Sequence, residues 1–333
     1  MDPMRGPHRG FLWTLITLWA AVAIGGVLYA RFLGLPGRIA APVIAAFLWE
    51  VSFYLVPGFS GLSAAIEQRW TRPVLATGLT VSAVAPYCVY TLALGGFNWL
   101  GLAVLAALAA AVCFWFLCLP GEPVTDLAFL VFMAAVVLGG TFSAVYPDAA
   151  PKVRLGILGQ LMWTRTGIMA VLWFRKVEGI GFGFLPSRRE WSAGIRNFLY
   201  FLPAGLPLAL GIGLVRFRPS PLVWWQAWPL AAGTFLGMLW VVALAEEFFF
   251  RGLLQQWLCE WLGNRTIGLV ATSVLFGLVH LPFRSFPNWR FALVAGIAGF
   301  FYGRAYAQTG SIRAAMVAHA LMNTTTQMLF PRV

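Results

Sequence analysis

Stretches of about 20 mostly apolar residues recur along the whole chain, separated by short segments rich in arginine, proline and glycine. A transmembrane α-helix needs this length, whereas barrel strands are about ten residues long and alternate in polarity. A soluble domain is excluded, because only 10% of the residues are charged and the mean hydropathy is +0.81. The sequence predicts an all-α fold, a polytopic transmembrane helical bundle. The eleven predicted spans are 11–31, 39–57, 73–94, 97–119, 127–146, 155–174, 197–215, 225–250, 267–281, 289–307 and 311–330.

The most basic connection in the chain, residues 175–196, separates the first six predicted spans from the rest. Cytoplasmic loops of membrane proteins carry an excess of arginine and lysine, so this connection is expected on the cytoplasmic side. Within it, Ser187 and Glu190 have the spacing of a capping box, which predicts a helix start. The chain is therefore expected to divide into a transmembrane region of unknown role at 1–174, a basic cytoplasmic or interfacial linker at 175–196 and a second transmembrane domain at 197–333.

The formal net charge of +12 would suggest a nucleic-acid partner if the protein were soluble. Here the arginines are spread through short loops, as membrane orientation requires. We therefore expect membrane lipids around the chain and no nucleic-acid partner. The basic residues are nearly all arginine, which favours a bacterial source and a bacterial cytoplasmic (inner) membrane location. The sequence leaves the oligomeric state open.

Three charged residues lie close together within the eighth predicted span, in Ala245-Glu246-Glu247-Phe248-Phe249-Phe250-Arg251. A charged residue near the centre of a span costs roughly 2.5–3.5 kcal/mol, so such a group needs partners or a function. Glu247 and Arg251 are four residues apart and can pair on one helix face, while Glu246 lies about 100° away and is left free. The alternative is that the helix ends near Phe250 and the charges reach the interface.

Two more charged residues stand alone in predicted spans, Glu50 in the second and Arg165 in the sixth. Either could belong to a polar pathway through the membrane. A lone charged residue more often hydrogen-bonds to a neighbouring helix or lies nearer the interface.

Further polar residues follow at helical spacing in the last third of the chain. His280 comes at the end of the ninth predicted span, just before a proline, and His319 and Asn323 are four apart in the last span. Side chains of this kind on separate helices converge only around a polar cavity. They suit the addition of water to a carbonyl group, in which a carboxylate moves the proton and imidazole and amide donors stabilise the oxyanion.

The ordered motifs Glu246-Glu247-x-x-x-Arg251, Phe276-x-x-x-His280 and His319-x-x-x-Asn323 resemble those of the CPBP intramembrane proteases, also called the Abi family. That family includes the type II CAAX prenyl endopeptidases and bacterial relatives linked to bacteriocin processing and self-immunity. The resemblance covers about residues 197–330 and makes the second transmembrane domain the catalytic one. It implies an intramembrane endopeptidase acting on a peptide or a membrane-anchored protein tail.

The resemblance also implies roles for the motif residues. Glu246 and His280 would activate water, and His319 and Asn323 would form the oxyanion site. Glu247 and Arg251 would support the site as an ion pair, together with the family's phenylalanine at Phe276. No cofactor is expected.

Other interpretations remain open at this stage. Glu246, His280 and His319 could instead bind a catalytic zinc ion, which takes three protein ligands and a water molecule. Against this, Asn323 is a poor zinc ligand and a good oxyanion donor. A proton- or ion-coupled transporter and a non-catalytic immunity-type membrane protein are the alternatives outside enzymes.

Overall fold

The structure is a computed structural model that describes residues 6–218, 222–283 and 286–330. All regular secondary structure within these ranges is helical. The helices are α1 (Gly6–Phe32), α2 (Gly37–Tyr54), α3 (Ser60–Arg69), α4 (Arg72–Leu94), α5 (Trp99–Cys118), α6 (Pro123–Leu138), α7 (Thr141–Val145), α8 (Gly156–Met169, continued by π-helical residues Ala170–Arg175), α9 (Arg188–Gly211), α10 (Trp224–Trp261), α11 (Arg265–Leu278), α12 (Trp289–Thr309) and α13 (Ile312–Leu329). The all-α helical fold predicted from the sequence is confirmed.

Five of the described helices are long and apolar enough to cross a membrane. They are Arg9–Phe32 within α1, Gly37–Gly58 spanning α2 and the turn after it, α4, α5 and α10. The chain is an integral membrane protein. The count of eleven spans is not confirmed, because α6 and α11 are shorter apolar helices and the others fall outside the length and hydropathy of a simple span.

Two of the predicted spans have the wrong bounds. The apolar run 127–146 is broken, because α6 ends at Leu138 and Gly140 takes a left-handed φ of 68° before α7 begins. The helix predicted at 225–250 continues without interruption to Trp261. The alternative in which this helix ends near Phe250 is therefore wrong, and the charged motif lies inside a 38-residue helix.

The chain forms two compact units, 1–176 and 177–333. The roles assigned from the sequence to 1–174, 175–196 and 197–333 stay predictions. In the first unit, α2, α4, α5 and α8 pack around a buried polar group. There the Arg165 guanidinium donates to both carboxylate oxygens of Glu50, with Nε to Oε1 at 2.7 Å, and to the Ser82 hydroxyl at 3.0 Å. The lone charged residues of the sequence are thus partners of each other on neighbouring helices.

The second unit contains α9 to α13. Its first helix begins where the sequence predicts, because the Ser187 hydroxyl accepts from the Glu190 amide and the Glu190 carboxylate accepts from the Ser187 amide. The capping box is confirmed. Connections of only two or three residues join α10 to α11 and α12 to α13, so the helices of each of these pairs run in opposite directions. The polar motifs of α10, α11 and α13 meet in the middle of this bundle.

Candidate active site

The local structure of α10 departs from a regular α-helix on both sides of the glutamate pair. Residues Met238–Ala243 and Phe248–Gln255 are π-helical, and only Leu244–Glu247 between them is α-helical. A π-helical turn bonds residue i to i+5 and occurs mostly as a short interruption, frequently at functional sites. Glu246 and Glu247 therefore lie on the short α-helical turn between two irregular segments.

The charges predicted to pair are in contact and fully buried. Arg251 Nη1 lies 3.1 Å from Glu247 Oε2, and both side chains have 0% exposure. Arg251 Nη2 also donates to the carbonyl oxygen of Gly299 on α12 at 2.8 Å. The guanidinium carbon lies 4.4 Å from the centre of the Phe276 ring, a cation–π contact. The arginine therefore joins α10 to α11 and α12.

His319 on α13 is held by groups from two other helices. Its Nδ1 lies 2.6 Å from Glu247 Oε1, and its ring stacks on the Tyr302 ring with centroids 4.6 Å apart. Its other nitrogen, Nε2, lies 3.9 Å from Glu246 Oε2. Glu247 thus bridges Arg251 and His319, while the far edge of the imidazole faces Glu246.

His280 lies just beyond the helix that was predicted to contain it. The helix α11 ends at Leu278, and His280 follows in the turn that leads to Pro282. Its Nδ1 lies 2.6 Å from the carbonyl oxygen of Phe276, and its ring packs against that of Phe291 with centroids 4.7 Å apart. A proline limits the helix at this point, because it disfavours helical backbone in the residue before it.

A cavity of about 470 Å³ brings the predicted catalytic residues together. Glu246, His280, His319 and Asn323 all line it. Glu247 and Arg251 do not line it and instead lie behind Glu246 and His319, within the packed helices. The carboxylate of Glu246 is the acidic group at the cavity, with a side-chain exposure of 32%.

The rest of the cavity wall is mostly apolar and lies toward one end of the bundle. It is formed by the C-terminal halves of α9 and α13, the N-terminal halves of α10 and α12, and the turn after α11. Lining residues include Phe201, Leu206, Ala209, Val215, Met238, Phe283, Phe291, Val294, Met322 and Phe330. Alternating helix directions place these parts at the same end. The loops at the opposite end contribute no lining residue.

The zinc alternative depends on how the same side chains are arranged. Among the described residues, no group of three His, Cys, Asp or Glu side chains is positioned to hold a metal ion. The Nδ1 atoms of His280 and His319 already contact oxygen atoms of Phe276 and Glu247. Metal-free water activation stays a prediction.

The sequence predicted the helix α12 as the span 289–307, but it did not predict that this helix supports the site from behind. Arg251 and Gln255, four apart on α10, donate to the carbonyl oxygens of Gly299 and Gly303, four apart on α12, at 2.8 and 3.1 Å. Glycine at these positions allows close approach, since a Cβ at Gly299 would lie 3.1 Å from Arg251 Nη2. The signal was present as Gly-x-x-x-Gly, a motif of close helix packing in membranes.

Residues 227–325 match the family model described as type II CAAX prenyl endopeptidase Rce1-like. This segment is similar to the Rce1-like family. The match covers less than a third of the 333-residue chain, but it includes every motif residue from Glu246 to Asn323. The resemblance to CPBP proteases expected from the sequence is thereby confirmed.

Parts of the site lie outside the Rce1-like segment. The cavity wall formed by α9, from Phe201 to Ala209, precedes the matched residues, and Phe330 follows them. No curated protein matches the chain, and no solved structure matches it. The family match thus supports protease activity in general, while the residue roles rest on the geometry of the cavity.

Proposed function

We propose that the protein is an intramembrane endopeptidase that hydrolyses a peptide bond in a membrane-associated peptide or protein tail. The observation that carries this proposal is the convergence of Glu246, His280, His319 and Asn323 on one largely apolar cavity. A carboxylate, two imidazoles and an amide are sufficient for water addition to an amide carbonyl. The Rce1-like match of the surrounding segment supports the same reaction class.

Glu246 is the group proposed to take the proton from the attacking water. Its Oε2 atom is buried and has no hydrogen-bond partner among the described residues, so it is available to a water molecule or a substrate. Glu247 is not available, because its carboxylate contacts both Arg251 and His319. His280 would help to hold the water from the opposite side of the cavity, with Phe276 O fixing the orientation of its ring.

His319 and Asn323 are the groups proposed to stabilise the oxyanion. His319 Nδ1 faces the carboxylate of Glu247, so it carries a proton and donates it. Its Nε2 atom donates to an oxyanion only when the ring is an imidazolium. We infer that Glu247 acts by holding the His319 ring through Nδ1, in addition to pairing with Arg251.

The substrate is proposed from the residues that form the cavity wall. The wall is mostly apolar, and one of its helices, α10, is long and apolar enough to cross a membrane, which fits a tail that is anchored there. A bacterial protein with a C-terminal anchor, or a leader peptide, is the proposed substrate in a bacterial inner membrane. A prenylated tail is the substrate suggested by the name of the matched family.

The test uses the full chain purified in detergent and candidate tail peptides with and without a lipid group. Cleavage detected by mass spectrometry, and lost in Glu246→Gln, is expected. Two results without peptide cleavage would instead support the non-protease alternatives. One is ion transport by membranes that contain the protein, and the other is protection of cells against a bacteriocin. Proteins that accumulate uncleaved in a deletion strain would identify the substrate.

Metal dependence is tested on the same preparation. Activity is expected to persist after exhaustive chelation, with no stoichiometric zinc by elemental analysis. Loss of activity on chelation, with recovery on zinc addition, would replace the metal-free mechanism by a zinc site at Glu246, His280 and His319.

A further inference from the structure

Residues 178–185, which we call the strap, lie against the helices of the second unit through their main chain. Carbonyl oxygens of six strap residues accept hydrogen bonds from three helices. The pairs are Glu178 with Gln256 Nε2 at 2.7 Å, Gly179 with Tyr306 Oη at 3.0 Å, Ile180 with the Ile312 amide at 3.1 Å, Gly181 with Ser311 Oγ at 2.9 Å, Phe184 with Trp240 Nε1 at 2.9 Å and Leu185 with Arg313 Nη1 at 3.4 Å. An irregular segment with this many directed bonds is a fixed part of the fold rather than a loose connection.

Two of these bonds hold α10 on either side of the glutamate pair. Trp240 belongs to the first π-helical segment, and Gln256 directly follows the second. The two α10 residues that donate to the strap are 16 positions apart, one on each side of the glutamates. The strap thus contacts α10 both before and after the turn that carries Glu246 and Glu247.

The middle of the strap packs on the second π-helical segment itself. The Phe182 ring meets the Phe248 ring edge to face, with centroids 5.8 Å apart. The buried Ile180 side chain covers Gly252, where a Cβ would lie 2.8 Å from Ile180 Cγ2. Phe248 directly follows Glu247, so these contacts bear on the turn that presents the two carboxylates.

None of the strap residues lines the cavity. The strap lies on the side of α10 that carries Phe248 and Gly252, whereas Glu246 reaches the cavity. A π-helical turn is rare and occurs mostly as a single-turn interruption of an α-helix, so we expect a helix with two such segments to need outside contacts to keep one geometry. The strap supplies those contacts without touching the space that a substrate would occupy.

We propose that the strap is a positioning element that holds the Glu246-Glu247 turn of α10 in its reactive orientation. This inference rests on the proposed endopeptidase function for its kinetic consequence and on the strap contacts for its structural one. The strap sets kcat and leaves substrate binding unchanged. Its residues act through α10 and do not contact the reacting atoms.

Gly181 offers the sharpest way to move the strap. It has a φ of 62°, and a Cβ at this position would overlap the Cα of Ser311. Gly181→Ala therefore forces the strap away from α13 and strains its backbone. The matched control is Gly263→Ala, which has a φ of 61° and nothing within 4 Å of the added Cβ. The control carries the same backbone strain outside the strap.

The experiment measures cleavage kinetics of the full-length variants and hydrogen exchange of α10 peptides by mass spectrometry. In Gly181→Ala, we expect kcat to fall on the order of 10–100-fold with KM unchanged, because small misplacements of catalytic groups have effects of this size. Exchange is expected to rise across 238–256. Gly263→Ala should keep the wild-type kcat and the wild-type exchange in that stretch.

If Gly181→Ala does not yield folded protein, Trp240→Phe is used, since it removes the indole donor to Phe184 O and keeps an aromatic ring at this position. Wild-type kcat together with wild-type exchange in the strap variant would overturn the proposal. A change confined to KM would also overturn it, as would an equal fall in kcat in Gly263→Ala. If the wild type and Glu246→Gln cleave the same peptides, or if neither cleaves any, the endopeptidase proposal fails. In that case, hydrogen exchange still decides whether the strap holds α10.

Discussion

Each unit of the protein buries one glutamate–arginine pair, and the two pairs differ in how completely their atoms are bonded. In the first unit, the Arg165 guanidinium donates to both carboxylate oxygens of Glu50, and the Ser82 hydroxyl accepts a further hydrogen bond from it. The members come from three helices, α2, α4 and α8. Such a saturated pair at 0–1% side-chain exposure fixes how helices pack.

In the second unit, the Glu247–Arg251 pair is incompletely bonded. Arg251 Nη1 donates to Glu247 Oε1 at 3.3 Å, but Glu247 Oε2 and Arg251 Nε have no hydrogen-bond partner among the described residues. The same holds for Oε2 of the neighbouring Glu246. Buried polar atoms without partners are costly and tend to mark functional sites. The difference fits a packing role for the first pair and, on the proposed function, a role of the second pair in supporting the active site.

The largest effect is expected from Glu246→Gln. The change removes the proposed general base, whose contribution to such reactions is roughly 10²–10⁴-fold in rate, and leaves the buried ion pair intact. Cleavage is therefore expected to vanish in peptide assays, while melting temperature and elution in size-exclusion chromatography stay at wild-type values. The matched variant Glu50→Gln should behave in the opposite way, with lower stability and an active residual folded fraction.

Loss of an arginine should destabilise both units. Removing one partner of a buried pair costs roughly 3–5 kcal/mol, because the other charge stays buried without compensation. Arg165→Ala and Arg251→Ala should both lower the yield and the melting temperature, measured by scanning fluorimetry in detergent. Variants in which both members of a pair are replaced test whether the two pairs differ in function.

In the double variants, both charges of a pair are replaced by apolar residues of similar size. Glu50→Leu with Arg165→Met should recover stability and keep cleavage, because an apolar replacement of a buried pair is often neutral. Glu247→Leu with Arg251→Met should recover stability without cleavage, because His319 loses the carboxylate at its Nδ1. Full activity in the second double variant would show that the two pairs do not differ in function.

A smaller effect is expected from Asn323→Ala. Loss of one oxyanion donor costs roughly 10²–10³-fold in kcat, and the expected change in KM is small. Thr326→Ala, which alters the cavity wall about one helical turn after Asn323, serves as the control and should change KM more than kcat. A variant Asn323→Ala that keeps wild-type kcat would remove this amide from the oxyanion site.

The smallest effect concerns a third pair, Glu190 and Arg313, at the edge of the second unit. Burial alone would raise the pKa of Glu190, but hydrogen bonds from Ser311 and Ser187 and the charge of Arg313 together lower it. A lowered pKa in the folded state means that the stabilisation is complete above the ordinary carboxyl pKa of 4.5 and is lost as pH falls below it. Because Arg313 is 30% exposed, the effect should be less than about 1 kcal/mol.

The measurement compares melting temperatures of the wild type and Glu190→Gln at pH 7 and pH 4. At pH 7 the wild type should be slightly more stable, and the gap should narrow at pH 4. A gap that is constant with pH would mean that the carboxylate charge of Glu190 makes no contribution. The result shows how much a partly exposed ion pair contributes to the melting temperature in comparison with the two buried pairs.

The sequence predicted the helices better than their lengths. Each predicted span overlaps a described helix, because long apolar runs leave few alternatives to a helix. The lengths failed at Gly140, where a left-handed residue divides the predicted span 127–146 into α6 and α7, and at Phe250, where helix packing outweighs local charge. The short helix α3 was missed, since it is not a long apolar stretch.

For the site, spacing predicted the Glu247–Arg251 contact and the grouping of the polar residues on three helices. It did not predict the contact of His319 with Glu247, because contacts between helices depend on the rotation of each helix about its axis. The π-helical segments change that rotation within α10 and leave no reliable mark in residue spacing. The strap was equally hidden, since its bonds use main-chain carbonyls that every residue has.

The apolar wall of the cavity has a consequence for product release. Neither the buried ion pair nor the strap contributes a wall residue, so apart from the polar residues at the level of the glutamates the wall offers mostly apolar contacts. For a protease of the proposed kind, an apolar, membrane-anchored fragment makes the same contacts after cleavage as it made in the uncut substrate. Such a fragment would compete with the next substrate as a product inhibitor.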